Sequence, residues 1–268
     1  MTGEKRTEIV DHKVMDGRAW IQRDLTPNTE PNNNWRNALI EAPMIAATGT
    51  ALTLTDITLD GAKSSYTSRA NGGIVNVASG SRLYVVSGAM LQNSATTASG
   101  GAVYLEAKAA NTQNGGTLTM TGGEIIGNTA SGNGGAVYVA PNASMTMANE
   151  VLNGTVLRGT INGNTAANGA GVYLAWNEKD GYAILYLSGD PYFGGAGTED
   201  AIRPQYDDRG AITNGNYRMV ALPDTTTNGQ QEYIYARQDI YMTYRPNPAK
   251  SIVVTGAIDL LADRKSVV

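Results

Sequence analysis

The chain of 268 residues has no cysteine, a single histidine, a single phenylalanine and only 16% charged residues. Without cysteine there is neither a disulfide framework nor thiolate chemistry. With His12 alone, zinc sites of His and Cys and Ser-His-Asp triads are excluded from the body of the chain. No apolar run reaches the roughly 18 residues of a membrane helix. The opening "MTGEKRTEIVDHKV" lacks the apolar stretch of a signal peptide, so no membrane insertion is expected of this fragment. Lys and Arg number 20 against 24 Asp and Glu, a net charge of −4 that offers nucleic acid or an anionic membrane no basic footprint. No GxxxxGK[ST] loop is present to cradle a phosphate. No cofactor and no metal is expected.

What the chain does contain is 32 glycines, 14 tyrosines and a set of echoes. A glycine-led strand recurs as "GGIVNV" (72–77), "GGAVYL" (100–105), "GGAVYV" (134–139) and "GAGVYL" (169–174). An alternating strand recurs as "LTLT" (52–55), "LYVV" (83–86), "LTMT" (118–121), "MTM" (145–147) and "LYL" (185–187). A third motif runs into small residues: "AMLQNSA" (89–95), "EIIGNTA" (124–130) and "TINGNTA" (160–166). Short alternating segments punctuated by Gly and Asn are strands, not helices. Three strands in constant order, with 34 residues from Gly101 to Gly135 and 36 from Gly135 to Gly171, describe a solenoid of triangular coils. The fold class expected is all-β, a right-handed parallel β-helix of three-strand coils with an N-terminal cap.

Alternation then sorts the side chains. Leu52, Leu54, Leu83, Val85, Leu118, Met120, Met145, Met147, Leu185 and Leu187 are expected inward on one face. Val103, Leu105, Val137, Val139, Val172 and Leu174 follow on the next, and Ile126 and Ile161 on the third. Asn128 and Asn164, with Asn93, take equivalent corners, where stacked asparagines hydrogen-bond down the axis. Residues 48–268 are expected to form the β-helix, with a polar excursion over about 196–235 and resumption at "IYMT" (240–243) and "SIVVTGAI" (251–258). Residues 1–47 form a cap or lead-in, with Asn34 starting a short helix that Pro43 ends.

"GGAVYL", "GGAVYV", "GGEIIGNTA" and "RGTINGNTA" resemble the right-handed β-helix repeats of large Gram-positive bacterial surface proteins. More distantly, they are similar to the repeats of chlamydial polymorphic outer-membrane proteins. The tail "LYLSGDPYFGG…IYMT…KSIVVTGAI" resembles the closing coil of the Gram-positive group. The resemblance covers roughly 48–195 and 237–258. It implies an adhesin or stalk segment, extracellular at a bacterial cell surface and cut from a longer protein, and it carries no functional site across.

Carboxylates are the remaining catalytic candidates, because parallel β-helices also carry polysaccharide lyases and glycoside hydrolases built on paired acids or calcium. They fall in 198–209 with Asp207 and Asp208, in 177–181, and at Asp56 and Asp60. The outward positions of the alternating strands are hydroxyls instead: Thr53, Thr55, Tyr84, Thr119, Thr121, Thr146 and Tyr186. An ice-binding threonine array needs equal coils, which intervals of 34 and 36 deny. In "GGAVYV" the valines point inward, so Tyr138 points out, as do Tyr104 and Tyr173 by the same parity. The three are expected to form an outward ladder between loops 106–116 and 175–182, and to bind a host or matrix glycan or protein. The expected function is non-catalytic adhesion; the alternative is a carbohydrate-active enzyme on the same fold.

Overall fold

A computed structural model describes residues 9–10, 13–14, 19–23, 41–189, 191–194, 217–227, 230–237, 240–242 and 252–258. The described residues hold strands and turns and no helix. Three six-stranded parallel sheets form the three faces of a coil, in agreement with the β-helix expectation. The first face stacks Ile45–Ala47, Val75–Val77, Val103–Leu105, Val137–Val139, Val172–Leu174 and Ile240–Met242. The second stacks Ala51–Leu54, Arg82–Val85, Thr117–Met120, Ser144–Met147, Ile184–Gly189 and Ile252–Ile258. The third stacks Ala19–Gln22, Ile57–Asp60, Met90–Gln92, Glu124–Ile126, Thr160–Asn162 and Tyr192–Phe193. The first rungs of the first and third faces therefore come from within residues 1–47. Ile240–Met242 pairs on Val172–Leu174, and Ile252–Ile258 on Ile184–Gly189.

Register follows from the repeat. Val103 pairs with Val137 and Val137 with Val172, so matching side chains sit directly above one another. The second interval is thus 35 residues, because Gly134 aligns with Gly169 and Gly135 with Ala170, not Gly171. The pair preceding each valine divides its work. The leading glycine turns the chain through the left-handed region, with φ 70° at Gly134 and 62° at Gly169. The next residue passes against the backbone of the neighbouring coil, where a side chain has no room at Gly101 or Gly135.

The interior is a set of aliphatic columns, and the predicted inward residues of the first two faces are buried, Leu52 partly. Each fully buried side chain contributes about 1.5–3 kcal/mol, so these columns are the main stabilising term. On the third face the inward residue is Ile125, 0% exposed, and not Ile126. Ile125 pairs with Leu91 and Ile161, whereas Ile126 lies opposite Gln92 and Asn162, which face out.

Insertions leave the frame without disturbing it. The 24-residue interval from Met145 to Gly169 contains an antiparallel hairpin, Asn149–Leu152 with Thr155–Arg158. The loop 175–182 is a smaller hairpin, Trp176–Asn177 with Gly181–Tyr182. Part of the excursion over 196–235 belongs to a longer one, Tyr217–Thr227 with Gln230–Arg237. His12, the helix expected from Asn34, and Asp207 with Asp208 lie outside the described residues.

Candidate binding face

Buried aliphatic side chains on either side of Tyr104, Tyr138 and Tyr173 fix these tyrosines outward, because strand side chains alternate. Tyr104 lies opposite Tyr138, Tyr138 opposite Tyr173, and Tyr173 opposite Tyr241. The predicted three are therefore brought together, and Tyr241 adds a fourth rung that sequence reading missed. The signal was present: "IYM" has the parity of "VYL", 68 residues beyond Tyr173. Below Tyr104 the column ends, with Asn76 and then Ala46 in the same position.

The rings stack face to face. Centroids are 4.8 Å apart for Tyr104 and Tyr138, 5.2 Å for Tyr138 and Tyr173, and 5.3 Å for Tyr173 and Tyr241. Interplanar angles are 4°, 14° and 7°. That spacing is the strand spacing, so the backbone sets the stack. Each contact is worth about 0.5–1.5 kcal/mol beyond burial. Faces turned to one another leave ring edges and hydroxyls to meet a partner. Tyr104 and Tyr138 are half-buried, while Tyr173, held between two rings, is only 8% exposed.

Burial, and then the neighbouring phenols, push the Tyr138 and Tyr173 hydroxyls up to about 12. Burial raises Tyr104 as well, with Glu106 adding to it. The raised values set a pH dependence. The unfolded chain releases these protons near 10 and the folded chain near 12, so stability is full below about pH 10 and falls between about 10 and 12. Phenolate absorbance during alkaline titration should show tyrosines ionising near pH 12, assignable to Tyr138 and Tyr173 by their loss in the Phe variants; their ionisation near 10 would contradict the stacked geometry.

The corner asparagines carry the frame beneath this face. Asn128 accepts from the Ser94 amide at 3.0 Å, and its Nδ2 donates to Leu91 O, Ile126 O and Asn164 Oδ1. Asn164 accepts from the Asn128 amide and donates to Ile125 O and Asn162 O. Asn93 is not part of this ladder; Ser94 occupies the corresponding place. Asn93 instead aligns with Gly127 and Gly163, all three at positive φ (50°, 63° and 60°), a conformation asparagine tolerates. A second asparagine pair follows, with Asn168 Nδ2 donating to Asn133 Oδ1 at 2.6 Å.

Two of the described carboxylate candidates, Asp60 and Asp180, are engaged locally. Asp60 is 3% exposed and accepts from the Ala62 amide, Gln92 Nε2 and Asn93 Nδ2. Asp180 closes its hairpin turn with Asn177 through two hydrogen bonds. Among the described residues no three His, Asp or Glu gather into a metal-binding group.

Residues 123–140 match the family model of the Chlamydia polymorphic membrane protein repeat. The matched stretch holds the Glu124–Ile126 strand, the Asn128 corner, the Gly134–Gly135 turn and the Val137–Val139 strand with Tyr138. No curated protein and no solved structure matches the chain. The three in-register parallel sheets form a parallel β-helix, and the matched repeat lies within its repeating frame.

Proposed function

We propose that the chain is a non-catalytic, right-handed β-helical segment of a bacterial cell-surface protein of the large Gram-positive kind, working as an adhesin module or stalk. It meets a host or matrix glycan or protein along the ladder of Tyr104, Tyr138, Tyr173 and Tyr241. The observation that carries this reading is the continuous outward tyrosine column, with Tyr138 inside the matched polymorphic membrane protein repeat. Right-handedness is supported by the strong preference of parallel crossovers for that hand. The residues before the first rungs serve as the cap that an open coil needs over its unpaired edge. The non-catalytic reading is supported by Asp60, whose carboxylate is taken up by backbone and amide donors. The outward hydroxyls of the second face, such as Thr119 and Thr146, offer no acid pair.

Because the ring faces are turned to one another, recognition runs through ring edges and hydroxyls. Tyr104→Ala, Tyr138→Ala and Tyr173→Ala together are expected to weaken adhesion to glycan- or matrix-coated surfaces roughly thirtyfold or more, the loss of about 2 kcal/mol typical of an aromatic hot spot. The strand signature in circular dichroism should persist, since the inward columns are untouched. The matching triple Phe variant keeps the stack and isolates the hydroxyls. Unchanged adhesion in the folded Ala variant would leave the tyrosines as scaffold.

A further inference from the structure

At the turn between the first and second faces, three successive coils each leave the frame: loop 106–116, corner 140–143 and hairpin 175–182. Their bases are tied rung to rung. The Gly115 amide donates to Asn142 O at 2.9 Å, and the Asn142 amide to Tyr182 O at 3.1 Å. Gly115 and Gly116 are packed so closely that a side chain at either would strike the backbone of Glu106 or Val77, which fixes the root of the longest loop. Above these bases lies a cleft of about 450 Å³. That falls within the roughly 300–1,000 Å³ of small-molecule sites.

The lining has a consistent chemistry. Gln113, Asn114 and Asn142 contribute primary amides, and Thr117 and Ser144 contribute hydroxyls from adjacent strands of the second face. Tyr182, Tyr186 and Ile184 supply aromatic and aliphatic surface. Lys108 is the one charged residue of the lining, and no acid lines the cleft. Amides and hydroxyls match sugar hydroxyls, tyrosine and isoleucine match the apolar face of a sugar ring, and an unopposed ammonium selects an anion. We infer that this cleft binds a short saccharide carrying a carboxylate, with Lys108 at the carboxylate and Tyr182 and Tyr186 against the ring. The inference rests on the adhesin reading and adds a second, small-ligand site beside the second face, whose lining shares no residue with the tyrosine ladder.

The test is calorimetric titration of the whole chain with 3′-sialyllactose, with a glucuronate-terminated disaccharide and with lactose. At least one acidic sugar is expected to bind tenfold or more tightly than lactose, and which one does so separates sialic acid from uronate. Lys108→Met should bring that sugar down to the level of lactose, Lys108→Arg should restore it, and Tyr186→Ala should abolish binding. Lys108 is exposed on a loop, so its variants leave the fold intact. Acidic sugars binding no better than lactose, or Lys108→Met binding unchanged, would overturn the inference. If surface adhesion persists while these sugars fail to bind, the cleft is wrong and the adhesin reading stands. If Lys108-dependent binding occurs while the ladder variants adhere normally, the cleft stands and the ladder does not.

Discussion

Gly101→Ala is expected to lower stability by about 4 kcal/mol or more, among the largest effects available to one methyl group. A Cβ at this position stands 2.0 Å from the Gly135 carbonyl oxygen and 3.0 Å from the Thr129 backbone. Both obstacles are main chain of the next coil, so no rotamer change relieves the clash. The rungs must separate, at the cost of bonds such as the one from the Gly101 amide to Gly134 O at 2.9 Å. Gly135→Ala should behave alike, with its Cβ 2.3 Å from Ala170 O. Gly154→Ala is the control: it faces open space in the exposed hairpin and pays only for φ 79°, about 1–2 kcal/mol. Urea denaturation followed by circular dichroism measures all three, and equal midpoints for Gly101→Ala and Gly154→Ala would refute the close approach.

Asn128→Ala is expected to cost about 3–5 kcal/mol, since each buried polar group left without a partner costs about 1–3 kcal/mol. The substitution orphans the Ser94 amide and takes a side-chain donor from Leu91 O, Ile126 O and Asn164 Oδ1, at a corner where Asn128 is 0% exposed and Asn164 only 3%. Asn128→Asp is the sharper variant, because a carboxylate oxygen would replace the Nδ2 that donates to Leu91 O and Ile126 O. Burial and facing acceptors raise the folded pKa of the new acid above its unfolded value near 3.9. Its deficit should therefore be smallest below about pH 4 and grow as pH rises through that value. A deficit independent of pH would mean that the corner admits water.

How far the sequence could be read follows the same physics. The coil order, the inward columns of two faces and the tyrosine parity were legible, because a strict alternation of apolar and polar residues leaves one solution. The third face was not: "EII" places two aliphatics side by side, and only pairing with Leu91 and Ile161 selects Ile125 over Ile126. Asn93 misled for a related reason. Asparagine serves both as a ladder residue and as a substitute for glycine at positive φ, and the serine beside it fills the ladder position. The rungs at Ala19–Gln22 and Ile45–Ala47 carry no leading glycine pair, so nothing marked them as part of the coil. Tyr241 was hidden by distance, with an excursion carrying its own hairpin between it and Tyr173. The cleft was least accessible of all, since it arises where three loops of unlike sequence meet in successive coils.

The lack of cysteine makes one measurement unusually clean: paired spin labels at introduced cysteines, with distances read by double electron–electron resonance. Thr53, Tyr84, Thr119, Thr146 and Tyr186 occupy one outward column on five successive strands of the second face. Labels at Thr53→Cys with Thr146→Cys span three rungs, and at Thr53→Cys with Tyr186→Cys four. At about 4.8 Å per rung the backbone separations are about 14 Å and about 19 Å. A coil in register predicts two narrow distributions that differ by about 5 Å. Equal distances for the two pairs, or broad distributions centred beyond about 30 Å, would contradict a continuous parallel coil, whose rungs set every spacing along this column.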